Sequence, residues 1–214
     1  MTVNDVYARR VAALTRDRIL ACAVAMADRD GLDAVTLRRI AGELGVHVTS
    51  LYNHVATRDA VTDGIVDTLL DQAHLPTTPV EWEEWVRTFF TAMSTLAAEH
   101  PGAFAALSRR PVQGPRAAAS FEVALEAFGK AGLSVEDGYN AVKATALTAL
   151  MVGLERSAAA RGEVLETDME ALPEESFPQF HALRDQDPTA AWSFSLETLV
   201  SGLRVQIAER ASAT

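Results

Sequence analysis

At 214 residues and 23.0 kDa, with 49% apolar and 22% charged side chains, the chain is long enough to bury a core unaided; this composition excludes a disordered, a fibrous or a membrane-embedded protein. The longest uncharged apolar stretch, 144–154, has 11 residues, against the roughly 20 that span a bilayer, so it reads as a buried helix. The net charge of −10 is uneven, because residues 1–60 carry eight Arg against seven Asp or Glu (net +1) and residues 61–214 carry eleven basic against twenty-two acidic side chains (net −11). Charges are screened beyond about 8 Å at physiological salt, so Arg38, Arg39 and Arg58 can meet a polyanion locally despite the acidic whole. Arg9, Arg10, Arg16 and Arg18 precede any apolar run and argue against an export signal, and the single Cys22 leaves no internal disulfide. Both point to a cytoplasmic protein with no membrane partner.

Apolar residues recur at three and four throughout, and Gly and Pro mark the breaks. The first helix, 15–30, carries Ile19, Cys22, Ala23 and Met26 on one side. A second, 36–44, starts at a Thr36 cap, turns Leu37, Ile40, Ala41 and Leu44 inward and ends at Gly45, which supplies the left-handed conformation. Helices follow over 47–53, 57–74 and 79–99, the last with Thr78 as cap, Pro79 at the first position and Glu81 three residues after the cap. Further helices are expected over 101–109, 115–131, 134–161 (opened by Ser134 with Glu136 and Asp137), 174–184 and 188–210 (Asp187 then Pro188). Nine or ten helices with no strand and no internal repeat define an all-α fold.

Residues 36–55 are the most informative. Two short helices, neither stable alone, meet across a glycine turn, with Ala41 small enough for close approach and Val46, Leu51, Tyr52 and Val55 available to pack. That is a helix-turn-helix, whose second helix enters the DNA major groove. Its exposed start offers His47, Val48, Thr49 and Ser50: hydroxyls for base edges or phosphates, and methyls for thymine. Thr36, Ile40-Ala41, Gly45-Val46, Leu51-Tyr52, His54-Val55 and Arg58 together resemble the DNA-binding domain of TetR family transcriptional regulators, over roughly residues 15–70. The resemblance implies a homodimer on a partly palindromic operator, repression, and release when a small molecule enters the C-terminal domain. It also implies a base contact from Arg38 and phosphate contacts from Thr36, Tyr52, His54 and Arg58; Asn53 joins the DNA-binding set.

Residues 1–74 are accordingly assigned to a DNA-binding domain of three helices plus a connecting helix, and 75–214 to an effector-binding and dimerisation domain. The latter resembles the tetracycline repressor ligand domain through Trp82-Glu-Glu-Trp85, His100-Pro101-Gly102 and Arg109-Arg110-Pro111. The resemblance implies that His74, Phe89, Met93, Arg110 and Pro111 line the effector site. It departs at Ala106, where the family's magnesium-ligand histidine would stand, and at Phe89, which replaces a polar drug-binding amide; both argue against magnesium–tetracycline. Phe89, Phe90, Met93, Phe104, Phe128, Leu147 and Met151 suit a flat or bulky apolar molecule. No metal or cofactor is expected. The helices at 134–161 (Ala141, Ala144, Thr145, Thr148, Ala149) and 188–210 (Trp192, Leu196, Leu199, Leu203, Ile207) are the expected dimerisation pair. No metalloprotease, nucleophile-elbow or phosphate-loop motif favours an enzyme. The alternative is a helical small-molecule carrier or scaffold that has lost operator binding.

Overall fold

Hydroxyl caps open four helices in the computed structural model, which describes residues 14–110, 114–163, 172–183 and 190–213. Thr15 starts α1 (Arg16–Asp30) by accepting the Arg18 N–H at 3.2 Å, and Thr36 starts α2 (Leu37–Leu44) by accepting that of Arg39 at 3.3 Å. Gly45, at φ 67° and ψ 31°, ends α2 in the left-handed region. After the short α3 (Val48–Leu51), Thr57 opens α4 (Arg58–Gln72). Then come α5 (Trp82–Glu99), a 3-10 turn (Ala103–Ala105) running into α6 (Ala106–Arg109), α7 (Pro115–Lys130), α8 (Val135–Ala160), α9 (Pro178–His181) and α10 (Ala190–Ala213). Ser134 caps α8 from the Asp137 N–H at 3.1 Å. Among the described residues there are ten α-helices and no strand, and no helix is long and apolar enough to cross a membrane.

One continuous core runs through the chain. Ile19, Met26, Ile40, Leu51, Ile65 and Leu69 fill its N-terminal end, and Trp85, Leu96, Phe104, Phe128, Val142 and Val200 the other. The main packed pair is α5 with α8, flanked by α7 and α10. Trp85 is buried but satisfied, since Nε1–H donates to the Ser120 carbonyl (2.9 Å) and hydroxyl (3.1 Å).

The small residues of α8 correct an expectation. Ala141, Thr145 and Ala149 are buried within the same chain, and the Thr145 hydroxyl donates back to the Ala141 carbonyl. Trp192, Leu196, Leu199, Leu203 and Ile207 likewise pack onto this chain's own core. Part of each stripe expected between chains therefore packs within the subunit, while Ala144 stays exposed and Thr148 half-buried. The large apolar side chains that face solvent are Val135, Tyr139, Leu147 and Met151 on α8, and Phe194 and Val205 on α10.

Three expected helices also differ, one of them the helix expected over 174–184, which among the described residues is only the four-residue α9. The helix expected from Pro79 begins at Trp82 with Glu81 as its cap residue, because Leu75 and Val80 both pack into the core and the connector between them is held out of helical geometry. The single helix expected over 101–109 is split into a 3-10 turn and a four-residue helix. There the Gly102 and Ala103 N–H groups turn toward the Asp28 carboxylate instead of initiating a longer helix. The Asp187-Pro188 start lies outside the described residues.

Candidate nucleic-acid interface and ligand cavity

Helix α3 is only four residues long, too short to persist alone, and it is fixed from beneath by the fully buried Leu51 and by Val55, whose N–H reaches the Leu51 carbonyl at 2.8 Å. Ala41 lets α2 approach it closely. With that side anchored, His47, Thr49, Asn53 and His54 are exposed, Val48 and Ser50 are half-buried, and Tyr52 is 52% exposed and so not a core residue.

The cations beside this face are not equivalent. Arg39 is tied to the Asp30 carboxylate and the Ala34 carbonyl, and Arg58 to the Asp33 carbonyl (3.3 Å) and carboxylate (3.5 Å). Arg38 is exposed and has no hydrogen-bond or ion-pair partner among the described residues. Its guanidinium keeps all five donors for an external acceptor. Thr36 is half-buried, and its oxygen caps α2, which leaves the hydroxyl hydrogen for a phosphate.

A second constellation joins the N-terminal helices to the rest. Asp28, near the end of α1, accepts from Gly102 N (3.1 Å), Ala103 N (2.9 Å) and His100 Nδ1–H (2.8 Å), and His100 faces the Gln72 side-chain amide through Nε2 at 2.9 Å. Arg109 reaches Asp33 at 2.6 Å, and Arg110 clasps Asp63 through two nitrogens (2.6 and 3.0 Å) and Asp59 at 3.3 Å. The hydrogen bond from Arg109, reinforced by its charge, holds the Asp33 carboxyl below the usual range. Such a depressed group stabilises the folded joint above the ordinary carboxyl value of about 3.9, and that contribution is lost as pH falls through its lowered value. Asp28, His100, Asp33, Asp59 and Asp63 were not picked out from sequence, since the contacts of His100, Gly102, Ala103, Arg109 and Arg110 with these carboxylates span 47–76 residues; only the His100-Pro101-Gly102 turn was visible.

The residues expected to line one effector pocket are divided. Phe89 and Met93 line an apolar cavity of about 80 Å³ together with Leu70, Leu107, Phe121 and Leu150. Phe104 and Phe128 are fully buried and pack elsewhere, the first against Gly153 and the second stacked on Trp82. Leu147 and Met151 are 54% and 58% exposed, because on α8 they lie about 200° round from the buried Thr145 and Ala149. Arg110 is engaged by α4 carboxylates. His74, at φ 49°, turns the chain out of α4 and sits exposed in an outer groove with Arg87, Thr91 and Glu99. Pro111 lies outside the described residues. Ligand pockets hold about 300–1,000 Å³, so a drug-sized molecule enters the inner cavity only if its lining moves.

No protein-family model matches the chain. A helix-turn-helix transcriptional regulator of Saccharopolyspora erythraea is 36% identical over 125 residues, 58% of this chain and 53% of its own length, so the chain spans about half of that relative. The class D tetracycline repressor of Escherichia coli is 28% identical over 211 residues, 92% of each chain. Among solved structures, the TetR family protein ActR of Streptomyces coelicolor in complex with actinorhodin superposes with a TM-score of 0.76 at 26% identity, over 92% of this chain and 99% of that one. These relatives are regulators rather than enzymes. With a helix-turn-helix of this spacing at one end and likeness to a tetracycline repressor along nearly its whole length, the chain is similar to the TetR family of transcriptional regulators.

Proposed function

We propose that the chain is a ligand-responsive repressor that binds a partly palindromic operator as a homodimer and lets go when a small, largely apolar molecule enters the C-terminal half. Residues 1–74 read DNA in this scheme, and 75–214 bind effector and partner. The observation that carries it is the contrast among three cations of the helix-turn-helix region: Arg39 and Arg58 are held by carboxylates, whereas Arg38, in the first turn of α2, is exposed and has no partner among the described residues. His47, Val48, Thr49 and Ser50 would face base edges, with Tyr52, Asn53, His54, Thr36 and Arg58 setting the register. Arg38→Ala is expected to weaken operator binding by about 1–3 kcal/mol and to relax one base preference. Unchanged affinity and selectivity, in titrations at matched salt, would remove Arg38 from the reading head.

The Asp28, Arg109 and Arg110 contacts supply the route for release. They fix α1 and α4 against the turn and helix beside the inner cavity, so a ligand that displaces Leu107 there would also move Arg109 and Arg110 on the same short element. Such a ligand shifts the equilibrium only to the extent that it prefers the non-binding geometry. The tetracycline repressors and ActR carry ligand names of their own. For this chain, Ala106 and Phe89 and the apolar lining support an apolar effector without a metal. A carrier that has lost operator binding is not favoured, because the full-length relatives are repressors.

For the dimer, the unpartnered face is Tyr139, Leu147 and Met151 on α8, spaced by fours and eights, with Phe194 and Val205 on the adjoining α10. Two copies packed through it would form a four-helix interface and present two heads to grooves about 34–36 Å apart. Leu147→Asp is expected to raise the dimer dissociation constant at least tenfold in sedimentation equilibrium, with helix content unchanged. A dimer of undiminished affinity would move the interface elsewhere.

A further inference from the structure

A second cleft, unrelated to the inner cavity, opens where α5, α8 and α10 converge. It has a volume of about 560 Å³, within the range of small-molecule sites, and is bordered by Phe90, Ser94, Glu155, Arg156, Trp192 and Leu196. On α5 these are Phe90 and Ser94, about 100° round the helix from Phe89 and Met93, which line the inner cavity.

Arg156 gives the cleft its chemistry. Every other described arginine after residue 75 reaches a carboxylate within 4.0 Å: Arg87, Arg109, Arg110, Arg116, Arg161, Arg204 and Arg210. Arg156 reaches none among the described residues. Its guanidinium is instead positioned by neutral groups: Nη1 donates to the Ser94 hydroxyl at 2.7 Å, and Cζ lies 4.8 Å from the centroid of the Trp192 ring. Trp192 is in turn braced edge-on by Phe90, with centroids 6.2 Å apart and planes at 90°. A guanidinium has five N–H donors, so Arg156 keeps up to four for a ligand, held beside two aromatic rings.

We infer that this cleft binds a planar aromatic monoanion, an aromatic carboxylate in the simplest case, with the anionic group on Arg156 and the ring system against Trp192 and Phe90. Glu155 on the rim disfavours a second negative charge. The site deepens the reading of residues 75–214 as an effector domain and rests on it, and its test needs no operator, so failure here and failure of operator binding are read separately.

The test titrates the full-length protein with 2-naphthoate and with its neutral counterpart 2-naphthamide by calorimetry, while indole ¹H–¹⁵N resonances report where each binds. The carboxylate is expected to bind about tenfold more tightly than the amide, as a charge-assisted contact requires. It should shift the Trp192 indole signal and leave that of the buried Trp85 in place. Arg156→Gln, an exposed substitution, should bring the two affinities within about twofold while preserving the melting temperature and operator affinity; Ser94→Ala should cause a smaller loss of the same preference. Equal affinity for acid and amide, a preference that survives Arg156→Gln, a shift confined to Trp85, or no binding of naphthoate up to its solubility would each overturn the assignment.

Discussion

Replacing Gly102 with alanine is expected to force the N-terminal helices away from the rest of the chain. A methyl group at this position would overlap the carbonyl of Ala27 in α1, which is backbone and cannot swing aside. The same movement would pull Gly102 and Ala103 off Asp28, which accepts both N–H groups. Overpacking of this kind costs on the order of 3 kcal/mol, and a chain of this length loses roughly 2–4 °C of melting temperature per kcal/mol. Gly129→Ala is the matched control: this glycine lies in α7, is exposed, and an added methyl meets nothing within 4 Å. Alanine there should stabilise by about 0.5–1 kcal/mol, since it is the better helix former. Side-by-side thermal melts therefore read opposite signs for the same chemical change. Melting of Gly102→Ala at or above the wild-type temperature would refute the close approach.

Phe104→Ala should be the costliest single truncation near the joint, at about 3–5 kcal/mol. The ring is fully buried and sits against Gly153 of α8 so closely that even a methyl on Gly153 would overlap it. Removing the ring leaves a cavity between the turn after α5 and α8, and neither backbone can close it without breaking the Asp28 contacts next to it. In urea, the midpoint should fall while the slope stays the same, as expected when stability changes without a change in the surface exposed. A midpoint shift worth less than about 1 kcal/mol would mean that the site collapses freely.

How much of this was legible in the sequence depends on the range of the interaction. The caps at Thr36 and Ser134 and the turn at Gly45 are local, decided by residues three or four apart, and α1, α2, α4 and α8 begin and end within about two residues of the positions their sequence implies, with Thr15 and Thr57 adding caps not singled out beforehand. The helix-turn-helix was visible for the same reason. Where a distant partner decides, local pattern failed: Thr78-Pro79 has every feature of a helix start, yet Leu75 and Val80 are drawn into the core and the helix waits for Trp82. On α8 the aliphatic and small residues alternate around most of the helix, so sequence could not say which stripe meets α5 and which meets solvent. Leu147 and Met151 were consequently placed inside, and Ala141, Thr145 and Ala149 outside. The Asp28, Arg109 and Arg110 joint had no sequence signature, because its carboxylates look like an ordinary acidic surface until the fold sets arginines against them.

The most direct test of the central claim is selection of bound duplexes from a random pool by the full-length protein, at fixed salt and with Arg38→Ala alongside. The account predicts a two-fold symmetric consensus whose half-sites lie about one helical turn apart, with one position relaxed in the variant. Recovery of duplexes with no shared sequence, or of a consensus identical with and without Arg38, would contradict it.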